Sequence, residues 1–234
     1  MTQIKKEIER CMENFLSMNC VSQEKGVFHM KVLILNGSPH PNGNTSIAVS
    51  ELTKTFDALG VETGVAQIGQ MAIRGCVACN YCKSHGKCVF DDGVNEIAEK
   101  FKEADGLIVA TPVYFASANA TLVACLDRLF WSTPFDKTMK VGASVAVCRR
   151  GGASATFDEL NKYFLISNMP VAGSQYWNSV HGLLPGEAAQ DAEGLQTMRT
   201  LAHNMTFLMK SIALGKEAYG LPETEPWQPT HFIH

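Results

Sequence analysis

The sequence predicts an α/β fold in which a parallel β-sheet is covered by helices on both of its faces. Five short, mostly apolar runs alternate along the chain with stretches in which apolar residues recur at helical spacing. Strands buried on both faces form nearly continuous apolar runs, and parallel strands are joined by helical crossovers. Because the chain contains no internal repeat and no low-complexity stretch, these observations indicate one doubly wound, three-layer sandwich.

The first half of the pattern predicts two strands and two helices. Residues 31–35 and 61–68 are predicted strands, and a loop rich in Gly, Pro and Asn follows the first of them. Apolar residues at helical spacing predict one helix over 48–59, which Gly60 would end, and a second helix over 94–101. A cysteine-rich segment separates the second strand from the second helix.

The second half predicts three more strands and three more helices. The strands are predicted at 107–110, 141–148 and 170–175, and the helices at 119–131, 157–164 and 195–212. The run at 170–175 is the weakest of the five strand signals, because Pro and Gly interrupt it.

Two segments lie outside the domain predicted for residues 30–214. Residues 1–29 are predicted to contain an amphipathic helix, with Ile4, Ile8 and Phe15 on one stripe. Residues 215–234 contain three prolines, so this arm cannot be helical throughout. Exposed apolar stripes usually find a partner surface, so we expect both arms to pack on the domain or on a neighbouring subunit.

The composition excludes several functional classes. The 234 residues carry 20 Lys+Arg against 23 Asp+Glu, a net charge of −3, with no basic run longer than a pair, so we expect no nucleic-acid binding. Residues 106–126 lack charge, but Pro112 interrupts them and their second half is polar, so we expect no membrane span. Secreted disulfide proteins with as many as eight cysteines are usually short, whereas this chain is long and opens without an apolar secretion signal. We therefore expect a reducing cytoplasm.

The loop after the first strand has the composition of a phosphate site. Short polar side chains cluster in it and at the start of the next helix: Ser38, His40, Asn44, Thr45 and Ser46. A helix N-terminus presents free backbone N–H groups and a positive dipole end, and ligands of such folds bind at the carboxyl ends of the strands. The loop lacks the Lys of a P-loop and the glycine spacing of a dinucleotide-binding loop. The alternative is that these residues form only a turn and a helix cap.

Two further loops lie at the same predicted edge of the sheet. The loop after the third strand contains Tyr114 and Phe115 among small residues, and it could place backbone amides and an aromatic ring against a flat heterocycle. The loop after the fourth strand contains Arg149 and Arg150, whose positive charge could stabilise an anionic reduced ring. The competing interpretations are core aromatics and an exposed arginine pair.

Three motifs in order resemble the flavodoxin-like NAD(P)H-dependent FMN reductases: NGSPHPNGNTS after the first strand, TPVYFASANA after the third, and Leu126-Asp127-Arg128 in the following helix. The resemblance implies a flavodoxin-like sheet of order 2-1-3-4-5, a bound FMN, and NAD(P)H as co-substrate. It implies that the FMN phosphate is bound by Ser38, His40, Asn44, Thr45 and Ser46. It also implies that the flavin ring is lined by Pro112, Val113, Tyr114, Phe115, Arg149, Arg150, Gly151 and Gly152.

Four cysteines lie between the second strand and the second helix, at Cys76, Cys79, Cys82 and Cys88. A C-x2-C-x2-C run with a nearby fourth Cys is typical of iron–sulfur ligands. It is similar to the pattern of the iron–sulfur flavoproteins, a branch of the same superfamily. The hypothesis is a [4Fe–4S] cluster, with free thiols and a labile disulfide as alternatives. A zinc site is disfavoured because the chain lacks a second knuckle at the usual separation.

The resemblance predicts an FMN-dependent NAD(P)H oxidoreductase that passes electrons to a small acceptor such as a quinone, an azo or nitro aromatic, or a flavin. The alternative is an iron–sulfur flavoprotein that carries electrons received from ferredoxin, and a third interpretation is a structural or regulatory domain without ligand. His181, on the loop after the predicted fifth strand, is a candidate proton donor, with a structural histidine as the competing interpretation. A homodimer or homotetramer is expected, because a neighbouring subunit usually walls the shallow ring site in this family.

Overall fold

A computed structural model describes residues 28–230 and 232 of the chain. Its strands are β1 (Lys31–Asn36), β2 (Glu62–Gln67), β3 (Gly106–Pro112), β4 (Val141–Cys148) and β5 (Ser179–His181). Its helices are α1 (Asn44–Ala58), α2 (Tyr81–His85), α3 (Val94–Glu103), α4 (Ala120–Ser132), α5 (Ala153–Ile166) and α6 (Ala192–Tyr219), with a 3-10 helix at Glu187–Gln190. Strands and helices alternate, as the hydrophobic periodicity predicts.

The strands form one parallel sheet of order β2-β1-β3-β4-β5, which confirms the order that the resemblance implied. Leu35 of β1 pairs with Val109 of β3, and Val109 pairs with Ser144 of β4, so the carboxyl ends of the three central strands lie at one edge. The strand order reverses between β1 and β3. Ligands of open α/β sheets bind in the crevice at such a reversal, outside the carboxyl ends of the strands.

The side chains of the central strands alternate between two hydrophobic cores. Val32 and Ile34 of β1 lie in the core that α1 and α6 cover. Leu33 and Leu35 lie in the core on the opposite face, which α3, α4 and α5 cover. All four are at most 3% exposed, and burial of each such side chain stabilises the fold by roughly 1.5–3 kcal/mol. Both faces of β1 are therefore anchored, which holds its carboxyl end in place.

The prediction of a fifth strand at 170–175 is wrong. Only Val171 in this run makes a β-bridge, an isolated one to Gly142, and the fifth strand is Ser179–His181. Pro170 has no N–H to donate to a strand ladder. The chain then leaves the sheet and returns to it at the buried Asn178. The Asn178 side-chain Nδ2 donates to Ala172 O (3.3 Å), and its backbone carbonyl accepts from the Ala146 N–H (3.0 Å). His181 therefore ends β5 and is not on the loop after it.

The helices extend beyond the predicted ranges. α1 begins at Asn44 and α5 at Ala153, because apolar spacing marks only the turns whose side chains are buried. α2, in the cysteine-rich segment, has no buried residue and leaves no apolar signal. α6 continues to Tyr219, past the boundary predicted at residue 214, and ends at Gly220, which has a φ of +79°. Residues 1–27, most of the predicted N-terminal helical segment, lie outside the described residues.

The uncharged segment 106–126 is divided among β3, a loop and the first half of α4, as predicted. In the part of the chain that the structure describes, no helix is both long enough and apolar enough to cross a membrane.

Candidate functional site

The loop after β1 is held in a compact shape by Asn36, the last residue of the strand. The Asn36 side chain is fully buried; its Oδ1 accepts from the backbone N–H of Ser38 (3.0 Å), and its Nδ2 donates to Ser46 Oγ (3.1 Å). Ser38 Oγ in turn accepts from the N–H of His40 (3.1 Å). The predicted residues Ser38 and Ser46 therefore shape the loop. Asn36 was missed at the sequence level, where its one signal is a polar residue that ends an apolar strand.

The loop leads into an open helix N-terminus. The N-cap of α1 is Gly43, and among the described residues no side chain caps the helix. The N–H groups of Asn44 and Thr45 donate to none of the described residues. Free N–H groups and the positive end of the dipole make this turn suited to an anion. His40 lies beside it with an exposed side chain.

The side chain of Asn44 does not point freely into this turn. Its Nδ2 donates to Leu184 O (3.0 Å), and its Oδ1 accepts from the N–H of Ala188 (3.1 Å). Asn44 therefore ties the N-terminus of α1 to the segment between β5 and α6, and its backbone N–H is the group that it has available for an anion.

The loop after β3 presents aromatic side chains on a tight turn. Tyr114 and Ser117 exchange two backbone hydrogen bonds of 2.9 and 3.0 Å, and Phe115 and Ala116 between them have positive φ values of 52° and 60°. The Phe115 side chain is fully exposed at the tip. Of the other predicted ring contacts, Pro112 ends β3, and the Val113 N–H donates to Val147 O of β4 (2.9 Å).

Glu159, on α5, anchors this turn. Its carboxylate accepts from Ser117 Oγ (2.8 Å) and from the backbone N–H of Ala118 (3.0 Å). A charged acceptor for two donors fixes the turn more firmly than a neutral contact would. Glu159 lies 41 residues from Ala118 in the sequence, so no local pattern could have indicated it.

The loop after β4 approaches the turn after β3 closely. Gly152 has a φ of +85°, and a Cβ at this position would lie 2.8 Å from Ala116 Cα. Glycine is therefore required here both by the backbone conformation and by the contact. Arg149 and Arg150 are exposed on the same loop, so their guanidinium groups are accessible to an anionic ligand at this edge.

His181 lies at the carboxyl end of β5, beside the end of β4. Its register partner is Cys148, and its ring Nδ1 lies 3.4 Å from Asp191 Oδ2. Asp191 also accepts from the His181 N–H (2.7 Å) and from Gly194 N at the start of α6. Burial, and to a smaller extent the charge of Asp191, raises the pKa of the Cys148 thiol. The pair is thus a carboxylate and an imidazole at the edge where the three loops lie.

The four clustered cysteines line one pocket together with Arg128 and Trp131 of α4. Left-handed backbone at Ala78 and Asn80 curls the loop, and the Ala78 N–H donates to Cys76 Sγ (3.4 Å). All six cysteines among the described residues are free thiols. The part of the chain that the structure describes has no three His, Cys, Asp or Glu side chains gathered at metal-binding distance. Four thiol groups on the lining of one pocket are a donor set that fits a soft metal group such as an iron–sulfur cluster.

Comparisons with known proteins agree with this architecture. A family model described as NADPH-dependent FMN reductase matches residues 30–183. An iron–sulfur flavoprotein of Methanocaldococcus jannaschii is 38% identical over 194 residues, which cover 78% of this chain and 99% of the relative. Two solved structures share the fold at 17% identity. One is RosB with bound 8-demethyl-8-formylriboflavin-5'-phosphate (TM-score 0.62, 88% of this chain and 92% of that one). The other is the NAD(P)H:quinone oxidoreductase of Methanothermobacter marburgensis (TM-score 0.60, 76% and 96%).

Proposed function

The chain belongs to the NADPH-dependent FMN reductase family, a family of flavin-dependent oxidoreductases, and we propose that it passes electrons from NAD(P)H through a bound FMN to a small acceptor. The observation that carries the proposal is the position of the open N-terminus of α1, at the same sheet edge as the aromatic turn after β3. An anion site beside an aromatic wall matches the two ends of FMN, its phosphate and its ring.

The phosphate end would bind at the start of α1. The backbone N–H groups of Asn44 and Thr45 would donate to it, and the positive dipole end of a helix of 15 residues would favour its charge. The buried Asn36 and the hydroxyls of Ser38 and Ser46 would keep the loop in the shape that exposes these donors.

The ring end would lie against the turns after β3 and β4. When bound, FMN would supply the redox chemistry. The chain's own residues would hold the ring: Tyr114 and Phe115 from the turn that Glu159 anchors, and the backbone of Gly151 and Gly152 from the facing loop. Arg149 would offset negative charge on the reduced ring. The Phe115 side chain is fully exposed, so the aromatic side of the site is open to solvent. Nicotinamide and the electron acceptor would therefore bind in turn on the same face of the flavin ring. A second subunit of a homodimer or homotetramer would lie next to this face.

Flavin binding is tested by titrating protein stripped of cofactor with FMN and with riboflavin, which lacks the phosphate. An anion at a helix N-terminus contributes up to about 2 kcal/mol, so FMN should bind more tightly than riboflavin, by up to about 30-fold at 1.4 kcal/mol per tenfold. Equal affinities would refute the phosphate site at α1. Stopped-flow mixing with NADPH and with NADH then tests the reductase activity. If neither nucleotide bleaches the bound flavin faster than free FMN reacts, the reductase proposal is wrong.

A second candidate function is favoured by the cysteine pocket. Cys76, Cys79, Cys82 and Cys88 would hold a [4Fe–4S] cluster, which would supply one-electron transfer, and the chain would then act as an electron carrier that receives electrons from ferredoxin. The 38% identity to an iron–sulfur flavoprotein supports this alternative. Protein reconstituted anaerobically is expected to contain iron and sulfide. Reduction by ferredoxin but not by NAD(P)H would favour the carrier over the reductase, and absence of iron would refute the cluster.

A further inference from the structure

A buried arginine on α4 contacts the cysteine segment at three points. Arg128 is 1% exposed, and it is bidentate to Asp92, with Nη1–Oδ2 and Nη2–Oδ1 distances of 2.5 and 2.8 Å. Nη1 also donates to the carbonyl of Arg74 (3.1 Å), two residues before the first clustered cysteine. Nε donates to Cys88 Sγ (3.2 Å). One guanidinium group thus joins the start of the segment, its fourth cysteine and the carboxylate that follows it.

The hydrogen bond from Arg128 Nε to Cys88 Sγ is not needed to hold the buried arginine in place. The Asp92 carboxylate, the Arg74 carbonyl and the ring of Phe90, 5.2 Å from the guanidinium carbon, would by themselves hold a buried arginine. A thiol sulfur is a weak acceptor. A cationic N–H donor interacts strongly with it only when the sulfur carries negative charge, as a thiolate bound to a metal does. The arrangement is therefore suited to a Cys88 that acts as a ligand.

The helix that carries Arg128 also begins at the proposed flavin site. Asn119, the N-cap of α4, follows the aromatic turn directly, and its side chain accepts from Thr121 N and Leu122 N. Arg128 lies nine residues further along the chain, about 13 Å along the axis at 1.5 Å per residue. A single rigid helix thus fixes the cysteine segment relative to the flavin turn.

We propose that Arg128 is a positioning residue that holds Cys88 as the fourth ligand of an iron–sulfur cluster and raises the reduction potential of that cluster, with Asp92 acting in the opposite direction. The proposal rests on the cluster of the second candidate function. Reduction adds negative charge to a cluster, so a cation and an N–H donor at a ligand sulfur favour the reduced state. The carboxylate of Asp92 partly offsets this effect.

The test compares midpoint potentials in EPR-monitored redox titrations of protein reconstituted anaerobically with iron and sulfide. Arg128→Gln should change the equilibrium constant for one-electron reduction of the cluster at least tenfold in favour of the oxidised state. This change lowers the midpoint potential by at least about 59 mV. Asp92→Asn should raise it, and the double variant should lie between the two. Damage to the fold alone would not move the two single variants in opposite directions.

Arg74→Gln is the matched control. It removes the same positive charge from the cysteine-rich segment, but from an exposed position. The Arg74 guanidinium carbon lies over the Phe90 ring, 4.6 Å from its centroid. Solvent screens an exposed charge, so this variant should leave the potential close to that of the wild type. A shift as large as that of Arg128→Gln would overturn the specific role of Arg128.

Other results would also refute the proposal. The first is an unchanged potential in Arg128→Gln. The second is a shift of the same sign in Arg128→Gln and Asp92→Asn. Where Arg128→Gln does not retain iron, Asp92→Asn decides: a higher potential supports the proposal and any other result overturns it. The third is a wild-type protein without iron, which overturns the cluster as well and leaves the FMN reductase proposal intact.

Discussion

Gly152 offers a direct test of the contact between the two proposed flavin loops. In Gly152→Ala, a non-glycine residue would have to adopt a φ of +85°, which costs about 1–2 kcal/mol. Its Cβ would also lie 2.8 Å from Ala116 Cα and 3.0 Å from a methyl carbon of Val113. Because the nearest neighbour is backbone, one of the loops has to move, and we expect a total cost of about 2–3 kcal/mol.

This cost can appear in two quantities. If the loops keep their contact, the free energy of unfolding of the apoprotein falls. If they separate, the FMN affinity falls instead, by up to about 30- to 140-fold at 1.4 kcal/mol per tenfold. Urea unfolding of the apoprotein and fluorescence titration with FMN measure the two losses, whose sum should reach 2–3 kcal/mol.

Gly151→Ala is the matched control for this prediction. No atom of the residues that the structure describes lies within 4 Å of a Cβ at Gly151, and its φ is not positive. The substitution should change the free energy of unfolding of the apoprotein by less than about 0.5 kcal/mol. If Gly152→Ala behaves like Gly151→Ala in both measurements, the close approach of the loops is not a property of the protein in solution.

Three further predictions concern residues around the two sites. Glu159→Ala leaves the Ala118 N–H without its charged acceptor, and since such a bond contributes roughly 1.5–3 kcal/mol, FMN should bind about tenfold more weakly by titration. Arg128 holds the pKa of the Asp92 carboxyl below its usual range, so this carboxylate stabilises the fold above about pH 4, the unfolded value. That stability should be lost as the pH falls through the folded pKa, and pH-dependent unfolding of Asp92→Asn should lack this loss. His181→Gln should slow the reduction of a quinone by about 100-fold, because quinone reduction consumes protons. The reduction of ferricyanide, which takes single electrons, should be unchanged. Equal effects on both acceptors would exclude proton donation by His181.

The central sheet was predictable because its strands are buried on both faces. β1, β3 and β4 are nearly continuous apolar runs, and such runs mark strands without reference to the rest of the chain. β5 has only three residues and includes Ser179 and His181, so its hydrophobic signal is weaker than that of the neighbouring Val171 and Ala172. Those two residues are partly or fully buried without forming a regular strand, and burial alone therefore misled the prediction.

The sequence by itself determined which chemical groups the protein has in close succession. The C-x2-C-x2-C spacing and the polar loop before α1 are local, because residues a few positions apart remain neighbours in any fold. Whether a group is free or committed was decided only by the tertiary structure. The Asn44 side chain is hydrogen-bonded to the backbone of Leu184 and Ala188. Arg128, 40 residues away in the sequence, donates from its guanidinium group to Cys88. Such contacts depend on how helices pack across the sheet, and the chain brings these residues together only after the whole domain has folded.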